Sequence, residues 1–210
     1  MSARGIDVRL NALLVEAGLK PLSNETAQSF EAFLSLFIRW NERINLSAVR
    51  DEEEIVSVHL VESIIVAKGL PEGIRTVLDF GSGGGLPGIP IALCRPEIKV
   101  TLAESQGKKA AFLWEAIRVL GIAAKVYADR AETIGEVFDC VILRAVDKMH
   151  RAVEAAVQLV RPGGWLALMT TDAELHQLKG IAGAEFSWAK PLRLRSSESK
   201  LLALGRKLNC

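Results

Sequence analysis

The run Val77-Leu78-Asp79-Phe80-Gly81-Ser82-Gly83-Gly84-Gly85-Leu86-Pro87-Gly88 combines an apolar strand, an acid near its end and a loop with almost no side chains. A strand that leads into a glycine loop and then a helix lets backbone N–H groups approach a bound polar group closely, because no Cβ atom stands in the way. A simple turn between a strand and a helix needs only one or two special residues. The run therefore predicts a site for a nucleotide-like cofactor.

The sequence on either side of this loop predicts an α/β fold. Short apolar runs alternate with helical patterns after residue 75, as in a parallel sheet covered on both faces. The predicted strands are Thr76–Phe80, Lys99–Ala103, Ala124–Tyr127, Asp139–Leu143 and Trp165–Met169. The predicted helices are Leu86–Cys94, Gln106–Leu120 and Asp147–Val160, and Pro162-Gly163-Gly164 predicts a turn before the fifth strand. The runs Ala184–Leu194 and Lys200–Lys207 complete a Rossmann-like, mostly parallel seven-stranded sheet as a terminal antiparallel hairpin.

The region before the sheet predicts a helical cap. Phe30, Phe33, Leu34, Phe37 and Ile38 form the stripe of an amphipathic helix that begins after Ser23-Asn24. Shorter patterns predict helices at about Asp7–Ala17 and Glu52–Lys68. We therefore expect a cap over residues 1–75 and a Rossmann-like domain over residues 76–210, joined in one compact unit.

Composition narrows the class of protein. Half of the 210 residues are hydrophobic and 24% are charged, as in a folded globular chain. Cys94, Cys140 and Cys210 lack the spacing of a zinc site or a disulfide framework, so we expect reduced thiols and no metal. No apolar run is long enough to span a membrane, and we expect a cytoplasmic monomer. The net charge is only +1, but residues 188–210 carry six cations against Glu198 alone, which suits contact with phosphates or a lysine-guarded strand edge.

Two kinds of cofactor fit the glycine loop. Gly83, Gly85 and Gly88 satisfy the dinucleotide pattern G-x-G-x-x-G, and Glu104 at the end of the second strand suits a ribose in either case. The acid-x-Gly-x-Gly run from Asp79 to Gly83 is instead typical of S-adenosylmethionine-dependent methyltransferases. The charge of Asp79 disfavours a pyrophosphate and favours a cationic sulfonium ligand. The class I S-adenosylmethionine-dependent methyltransferase fold is therefore the preferred interpretation, with Asp79 near the methionine ammonium.

Several blocks of the sequence resemble one family. The loop Gly81-Ser82-Gly83-Gly84-Gly85-Leu86-Pro87-Gly88-Ile89-Pro90 is similar to that of the bacterial ribosomal RNA small subunit methyltransferase G family, also called glucose-inhibited division protein B. The other matching blocks, in chain order, are Trp40-Asn41 through Asn45-Leu46-Ser47, the segment from His59 to Glu62-Ser63, Glu104 to Leu113, Arg130-Ala131-Glu132, and Phe138-Asp139 to Arg144-Ala145. The resemblance covers about residues 30–207.

The resemblance implies N7-methylation of a guanine in the 530 loop of 16S ribosomal RNA, with S-adenosylmethionine as donor. The RNA partner would be naked 16S RNA, the 30S subunit or an assembly intermediate. Guanine N7 carries a lone pair and no proton, so the reaction needs orientation and exclusion of water rather than a general base. The absence of a catalytic triad is expected for this chemistry.

Individual roles follow from the resemblance and from position. Gly81, Gly83 and Leu86 would lie against the cofactor, Glu104 would bind the ribose, and Ala131-Glu132 would flank the adenine. Arg144, at the carboxyl edge of the sheet, would hold the methionine carboxylate or guanine O6, or form a structural ion pair with Asp147 or Glu132. His59 is a second catalytic candidate or else a core histidine. The candidate RNA contacts are Asn41 and Asn45 on one helical face, Lys108, Lys109, Arg193 and Arg195.

The chain also departs from the family pattern. Thr170-Thr171 stands where the family commonly has Lys-Gly, and Glu62 stands where an aspartate is usual. A small-molecule or protein methyltransferase would use the same cofactor loop and would suit the near-neutral charge. A noncatalytic regulator that binds the cofactor or RNA is the other alternative.

Overall fold

One mixed sheet forms the centre of the molecule. The computed structural model of the chain describes residues 5–194 and 199–209. Within these residues eight strands form the sheet, in the order β3-β2-β1-β4-β5-β8-β6, with β7 also paired to β8. The strands are β1 Thr76–Phe80, β2 Lys99–Ala103, β3 Ala124–Tyr127, β4 Phe138–Arg144, β5 Val160–Thr171, β6 Phe186–Trp188, β7 Leu192–Arg193 and β8 Lys200–Lys207. The first five strands run parallel, and β8 pairs antiparallel with β5, β6 and β7.

Helices cover both faces of this sheet. They are α1 Ile6–Glu16, α2 Asn24–Asn41, α3 Glu52–Glu54, α4 Val61–Gly69, α5 Gly88–Cys94, α6 Gly107–Leu120, α7 Met149–Leu159 and α8 Asp172–Ala182. A π-helical segment, Ile55–Leu60, joins α3 to α4, and a short 3-10 turn occupies Ala131–Thr133. None of the described helices combines the length and the apolarity needed to cross a membrane.

Local sequence explains where the N-terminal helices begin. The Ser23 hydroxyl caps α2 by accepting a hydrogen bond from the amide of Thr26 at 3.2 Å. The Asp51 carboxylate does the same for α3 through the amide of Glu54 at 2.8 Å. These caps satisfy amides that have no partner within the helix, and the acidic run of α3 suits the positive end of the helix dipole.

Two hydrophobic cores lie on opposite faces of the sheet. The larger one joins the N-terminal helices to α5, α6 and one sheet face, around Phe30, Phe33, Phe37 and Phe112. The smaller one packs α7 and α8 on the other face. The N-terminal helices therefore share a continuous core with the sheet.

The structure confirms the predicted fold class and refines several elements. The first three strands have the predicted bounds. Helix α8 was not predicted, because Asp172–Ala182 has a weak apolar stripe in which only Leu178 and Ala182 are buried. The predicted turn at Pro162-Gly163-Gly164 is an irregularity within β5, and the register to β4 shifts beside it. The predicted strand Ala184–Leu194 is divided into β6 and β7, both of which pair with β8.

Candidate active site at the carboxyl edge of the sheet

The glycine loop follows β1 and opens at the carboxyl edge of the sheet. Ser82 and Gly85 close a tight turn, in which the Gly85 amide donates to the Ser82 carbonyl at 2.7 Å. At Gly84 a Cβ atom would lie only 2.6 Å from Cε2 of Phe37, a residue of α2. The chain therefore needs glycine at position 84, because the aromatic core of the N-terminal helices packs directly against the loop.

Glu104 braces the same loop from the end of β2. Its Oε2 accepts a hydrogen bond from the amide of Gly83 at 2.9 Å, and its Oε1 accepts one from the amide of Gln106 at 2.7 Å. The side chain is buried but reaches the wall of the cavity described below. Each carboxylate oxygen has two lone pairs, so Glu104 can accept further hydrogen bonds from a pair of ribose hydroxyls.

Asp79 lies beneath the loop, not on its open side. It is 1% exposed, and its Oδ2 accepts a hydrogen bond from the amide of Gly88 at 3.1 Å, at the start of α5. Burial raises the pKa of Asp79 to about 7, although the Gly88 amide and the charge of Arg144 act in the opposite direction. Asp79 does not line the cavity, so in this structure it positions the loop, and direct contact with a methionine ammonium stays a prediction.

Arg144, the last residue of β4, is the centre of a cluster of polar side chains. Its guanidinium contacts His59 Nδ1 at 2.6 Å, Glu62 Oε2 at 3.1 Å and Ser63 Oγ at 3.3 Å. The other oxygen of Glu62 lies 3.2 Å from Nζ of Lys200 on β8. The expected alternative partners, Asp147 and Glu132, are thus replaced by Glu62, which belongs to a helix more than 80 residues away in sequence.

The π-helical segment brings His59 to this cluster. His59 lies within the segment, and Glu62 and Ser63 follow at spacings of three and four residues, which place all three on one helical face. A guanidinium can only donate, so Nδ1 of His59 is the acceptor and the proton of the neutral ring is on Nε2. Burial lowers the pKa of His59 from 6.5 to about 4, and the charge of Arg144 acts in the same direction. The imidazole is therefore neutral at pH 7.

One cavity joins the glycine loop to the Arg144 cluster. Its volume is about 770 Å³. The predicted site residues on its wall are Gly81, Gly83, Leu86, Glu104, Lys109, Arg144 and His59. A further wall contains Met169, Thr170, Thr171, Glu174 and Lys200 from β5, α8 and β8, none of which was among the predicted site residues. The size is typical of a small-molecule or cofactor site.

The glycine loop and Glu104 fit the cofactor that the sequence predicts. A Cβ atom at Gly83 would have only the Gly81 carbonyl oxygen within 4 Å, at 3.9 Å, so this part of the loop faces open space. A bare backbone next to a carboxylate at the end of the neighbouring strand suits a nucleoside, because the ribose hydroxyls can reach the acid while the rest of the ligand lies on the loop.

Contact of Ala131 and Glu132 with the adenine stays a prediction. Ala131 is buried in the smaller core beneath α7, and Glu132 is exposed and accepts a hydrogen bond from Arg130 at 2.9 Å. Neither residue lines the cavity. Ser105 and Gln106 do line it. Their position could have predicted this, because they follow Glu104 directly at the carboxyl end of β2.

The structure contradicts the predicted shared helical face of Asn41 and Asn45, while their contact with RNA stays a prediction. Asn41 is 3% exposed, its Nδ2 donates to the Val49 carbonyl at 2.9 Å, and its Oδ1 accepts from the Ser47 amide at 3.0 Å. Asn45 lies beyond the end of α2 and accepts from Arg50, so the two do not share a helical face. Asn41 is a structural residue, because both ends of its amide hold the loop that follows α2.

The predicted cations are distributed differently around the site. Lys109 lines the cavity, whereas Lys108 is exposed beside it at the start of α6. Arg193 on β7 pairs with Asp172 at the start of α8. Arg195 lies outside the described residues.

Solved structures identify the class of fold. A methyltransferase from Pyrococcus furiosus is 14% identical with a TM-score of 0.62, over 85% of this chain and 98% of that one. The mitomycin 7-O-methyltransferase MmcR is 15% identical with a TM-score of 0.62, over 98% of this chain and 72% of that one. At this identity the likeness concerns the fold alone. The fold, the glycine loop and Glu104 at the end of β2 together define a class I methyltransferase.

Sequence relatives identify the family. The family model for rRNA small subunit methyltransferase G matches residues 26–200. The ribosomal RNA small subunit methyltransferase G of Xanthomonas campestris pv. campestris (strain B100) is 44% identical over 172 residues, 80% of each chain. The protein of that name from Neisseria meningitidis serogroup A / serotype 4A is 40% identical over 164 residues, 77% of this chain and 78% of its own. The chain belongs to the rRNA small subunit methyltransferase G family, and the predicted family and enzyme class are confirmed.

Proposed function

We propose that this protein transfers the methyl group of S-adenosylmethionine to N7 of a guanine in the 530 loop of 16S ribosomal RNA. Membership of the rRNA small subunit methyltransferase G family supports the reaction and the RNA. The observation that carries the proposal is the cavity itself, which has a bare glycine loop with Glu104 at one end and the Arg144 cluster at the other. A methyl donor and a nucleobase can therefore meet within one cavity.

The β1–β2 side of the cavity would hold the cofactor. Gly81, Gly83 and Leu86 offer a surface of backbone and apolar side chain, and Glu104 accepts hydrogen bonds from the ribose. S-adenosylmethionine supplies a methyl group activated by the positive sulfonium. A cationic ligand above the loop favours the ionised form of Asp79 below it, since opposite charges attract strongly at low dielectric.

The Arg144 cluster would orient the acceptor without removing a proton. Among the described residues, its contacts with His59, Glu62 and Ser63 use three of the five N–H donors of the guanidinium, which leaves two for guanine O6 or a carboxylate. His59 is neutral and accepts from Arg144, so it fixes the guanidinium instead of acting as a base. This arrangement suits N7, whose lone pair is already free.

Cations at the rim would bind the RNA backbone. Lys109 and Lys200 line the cavity, and Lys108 is exposed next to it. Phosphate contacts of this kind are sequence-independent and weaken with salt. The shape of the folded RNA, with one guanine directed into the cavity, would then supply specificity.

The decisive experiment is transfer of tritiated methyl from S-adenosylmethionine to 30S subunits and to naked 16S RNA from cells that lack the endogenous activity. We expect label at one guanine of the 530 loop, mapped by N7-specific strand cleavage. Arg144→Gln should abolish transfer, while the exposed control Arg118→Gln on α6 should retain it. Label on another acceptor would overturn the proposed substrate. Cofactor binding without transfer to either RNA would instead indicate a regulator.

A further inference from the structure

We propose that Glu174 reads the Watson–Crick edge of the target guanine and stabilises the charge that develops on it during methyl transfer. The inference rests on the proposed function. Glu174 lies in the first turn of α8 and lines the cavity on the wall formed by β5 and β8. Glu174 itself received no role from the sequence.

Two hydroxyl groups hold the Glu174 carboxylate in place. Oγ1 of Thr170 lies 3.0 Å from Oε2 of Glu174, and Oγ1 of Thr171 lies 3.3 Å from the same oxygen. Within the described part of the chain, Oε1 accepts no hydrogen bond. A carboxylate with one oxygen anchored and the other available is preorganised to accept from a ligand, because its rotamer is already fixed.

The strand order places this acid across the cavity from the methyl donor. The glycine loop follows β1, and Thr170-Thr171 ends β5, with only β4 between these two strands. Two inter-strand spacings separate their ends by about 10 Å. The N7 edge and the N1–N2 edge of a guanine lie on opposite sides of the ring. A guanine with N7 towards the donor therefore directs N1–H and the N2 amino group towards the β5 wall.

The chemistry of the wall matches guanine rather than adenine. Guanine presents two donors at N1 and N2, which a carboxylate accepts, next to the acceptor O6. Lys200 lies on the same wall, and its Cα pairs with that of Thr171 in the register of β5 and β8. Its Nζ contacts Oε1 of Glu62 at 3.2 Å and has further N–H donors that can reach O6. Adenine would place its N1 lone pair against the Glu174 carboxylate, and this repulsion would exclude it.

Glu174 would also act on the rate of the chemical step. The N7 lone pair forms the new N–CH₃ bond while the S–CH₃ bond breaks, and no proton moves. The positive charge passes from sulfur to the purine, where it makes N1–H a stronger donor. The hydrogen bond to Glu174 is therefore stronger in the transition state than in the ground state, which is the condition for an effect on kcat.

The test compares the wild-type enzyme and Glu174→Gln on two target RNAs, one with the natural guanine and one with inosine in its place. Inosine retains N1–H, O6 and N7 but lacks the N2 amino group, and splinted ligation introduces it at one position. We expect the wild-type enzyme to prefer guanine over inosine by at least about 10-fold in kcat/KM, as for loss of a hydrogen bond to a charged group. Glu174→Gln should lower kcat on guanine by about 10- to 100-fold and retain only the small preference due to the weaker nucleophilicity of inosine N7.

Controls separate this role from a structural one. Glu154→Gln, an exposed acid on α7 outside the cavity, should preserve both activity and the guanine preference. Thr171→Val releases part of the anchor and should reduce the preference by an intermediate amount. Equal loss on guanine and inosine in Glu174→Gln would overturn the inference and leave a structural role. Failure of the wild type to methylate the 530-loop guanine at all would instead refute the proposed function.

Discussion

Asp79→Asn should make the protein more stable than the wild type, and the difference should grow as the pH rises. Asp79 is fully buried and its pKa is raised from 3.8 to about 7, mainly because burial disfavours the charged carboxylate. The folded chain therefore keeps a proton that the unfolded chain releases. Asparagine has no such proton, and its amide oxygen can still accept from the Gly88 amide.

The sign and size of the effect follow from proton linkage. Between pH 3.8 and about 7 the folded state binds more protons than the unfolded state at this residue, so the wild-type free energy of unfolding falls as the pH rises through that window and levels off above it. From pH 5 to pH 8 the advantage of Asp79→Asn should grow by about 3 kcal/mol. For a chain of this length that corresponds to roughly 10 °C in Tm.

The measurement is guanidinium unfolding of both proteins at intervals from pH 5 to pH 8, expressed as the difference between them. Taking the difference cancels the pH dependence contributed by every titratable group that the two proteins share. One such group is His59, whose lowered pKa makes the free energy of unfolding rise with pH between about pH 4 and 6.5. Asp129→Asn, an exposed acid after β3, is the matched control. A difference that stays flat with pH in Asp79→Asn would refute the assignment of a buried, protonated Asp79.

Three further substitutions, two of them with a matched control substitution, test the framework of the site. Glu62→Gln removes the carboxylate between the cations Arg144 and Lys200. As for other broken buried ion pairs, the free energy of unfolding should fall by about 3–5 kcal/mol, measured by denaturant unfolding. Methyl transfer in the tritium assay should be abolished. Gly88→Ala places a Cβ 2.3 Å from Leu102 and 2.5 Å from Asp79 Oδ2, and should lower the free energy of unfolding by about 1–3 kcal/mol. In the control Gly180→Ala the new Cβ has no atom within 4 Å, and the free energy of unfolding should rise by up to about 1 kcal/mol. Equal midpoints of urea unfolding for the two variants would contradict this expectation. Asn41→Ala leaves the Ser47 amide and the Val49 carbonyl without their partner and should cost about 1–3 kcal/mol, while Asn45→Ala should change the Tm little.

Local patterns predicted the sheet and one side of the site well. The glycine loop and Glu104 could be placed because both follow short apolar strands, and the ends of adjacent parallel strands meet at one edge. Arg144 could be placed for the same reason. These residues are defined by their distance from a strand end, which the sequence shows directly.

The other side of the site depends on contacts that no local pattern encodes. Glu62 meets Arg144 only because α4 packs beside the end of β4, and Lys200 joins them through the antiparallel register of β8 with β5. Helix α8 lacks a strong apolar stripe, so Glu174 could not be assigned to a cavity. The spacing of Asn41 and Asn45 suggested one helical face, and this prediction was wrong because α2 ends at Asn41.

The contact between Phe37 and Gly84 has a consequence for how such enzymes can be altered. Because an aromatic ring of the N-terminal helices is in direct contact with the glycine turn, those helices form part of the wall of the cavity that we propose holds the cofactor. Exchanging them for the corresponding segment of another methyltransferase, in order to redirect the enzyme to a new RNA, would change donor affinity together with target choice. A productive chimera would have to keep the residues from Phe37 to Ser47 with the loop they support.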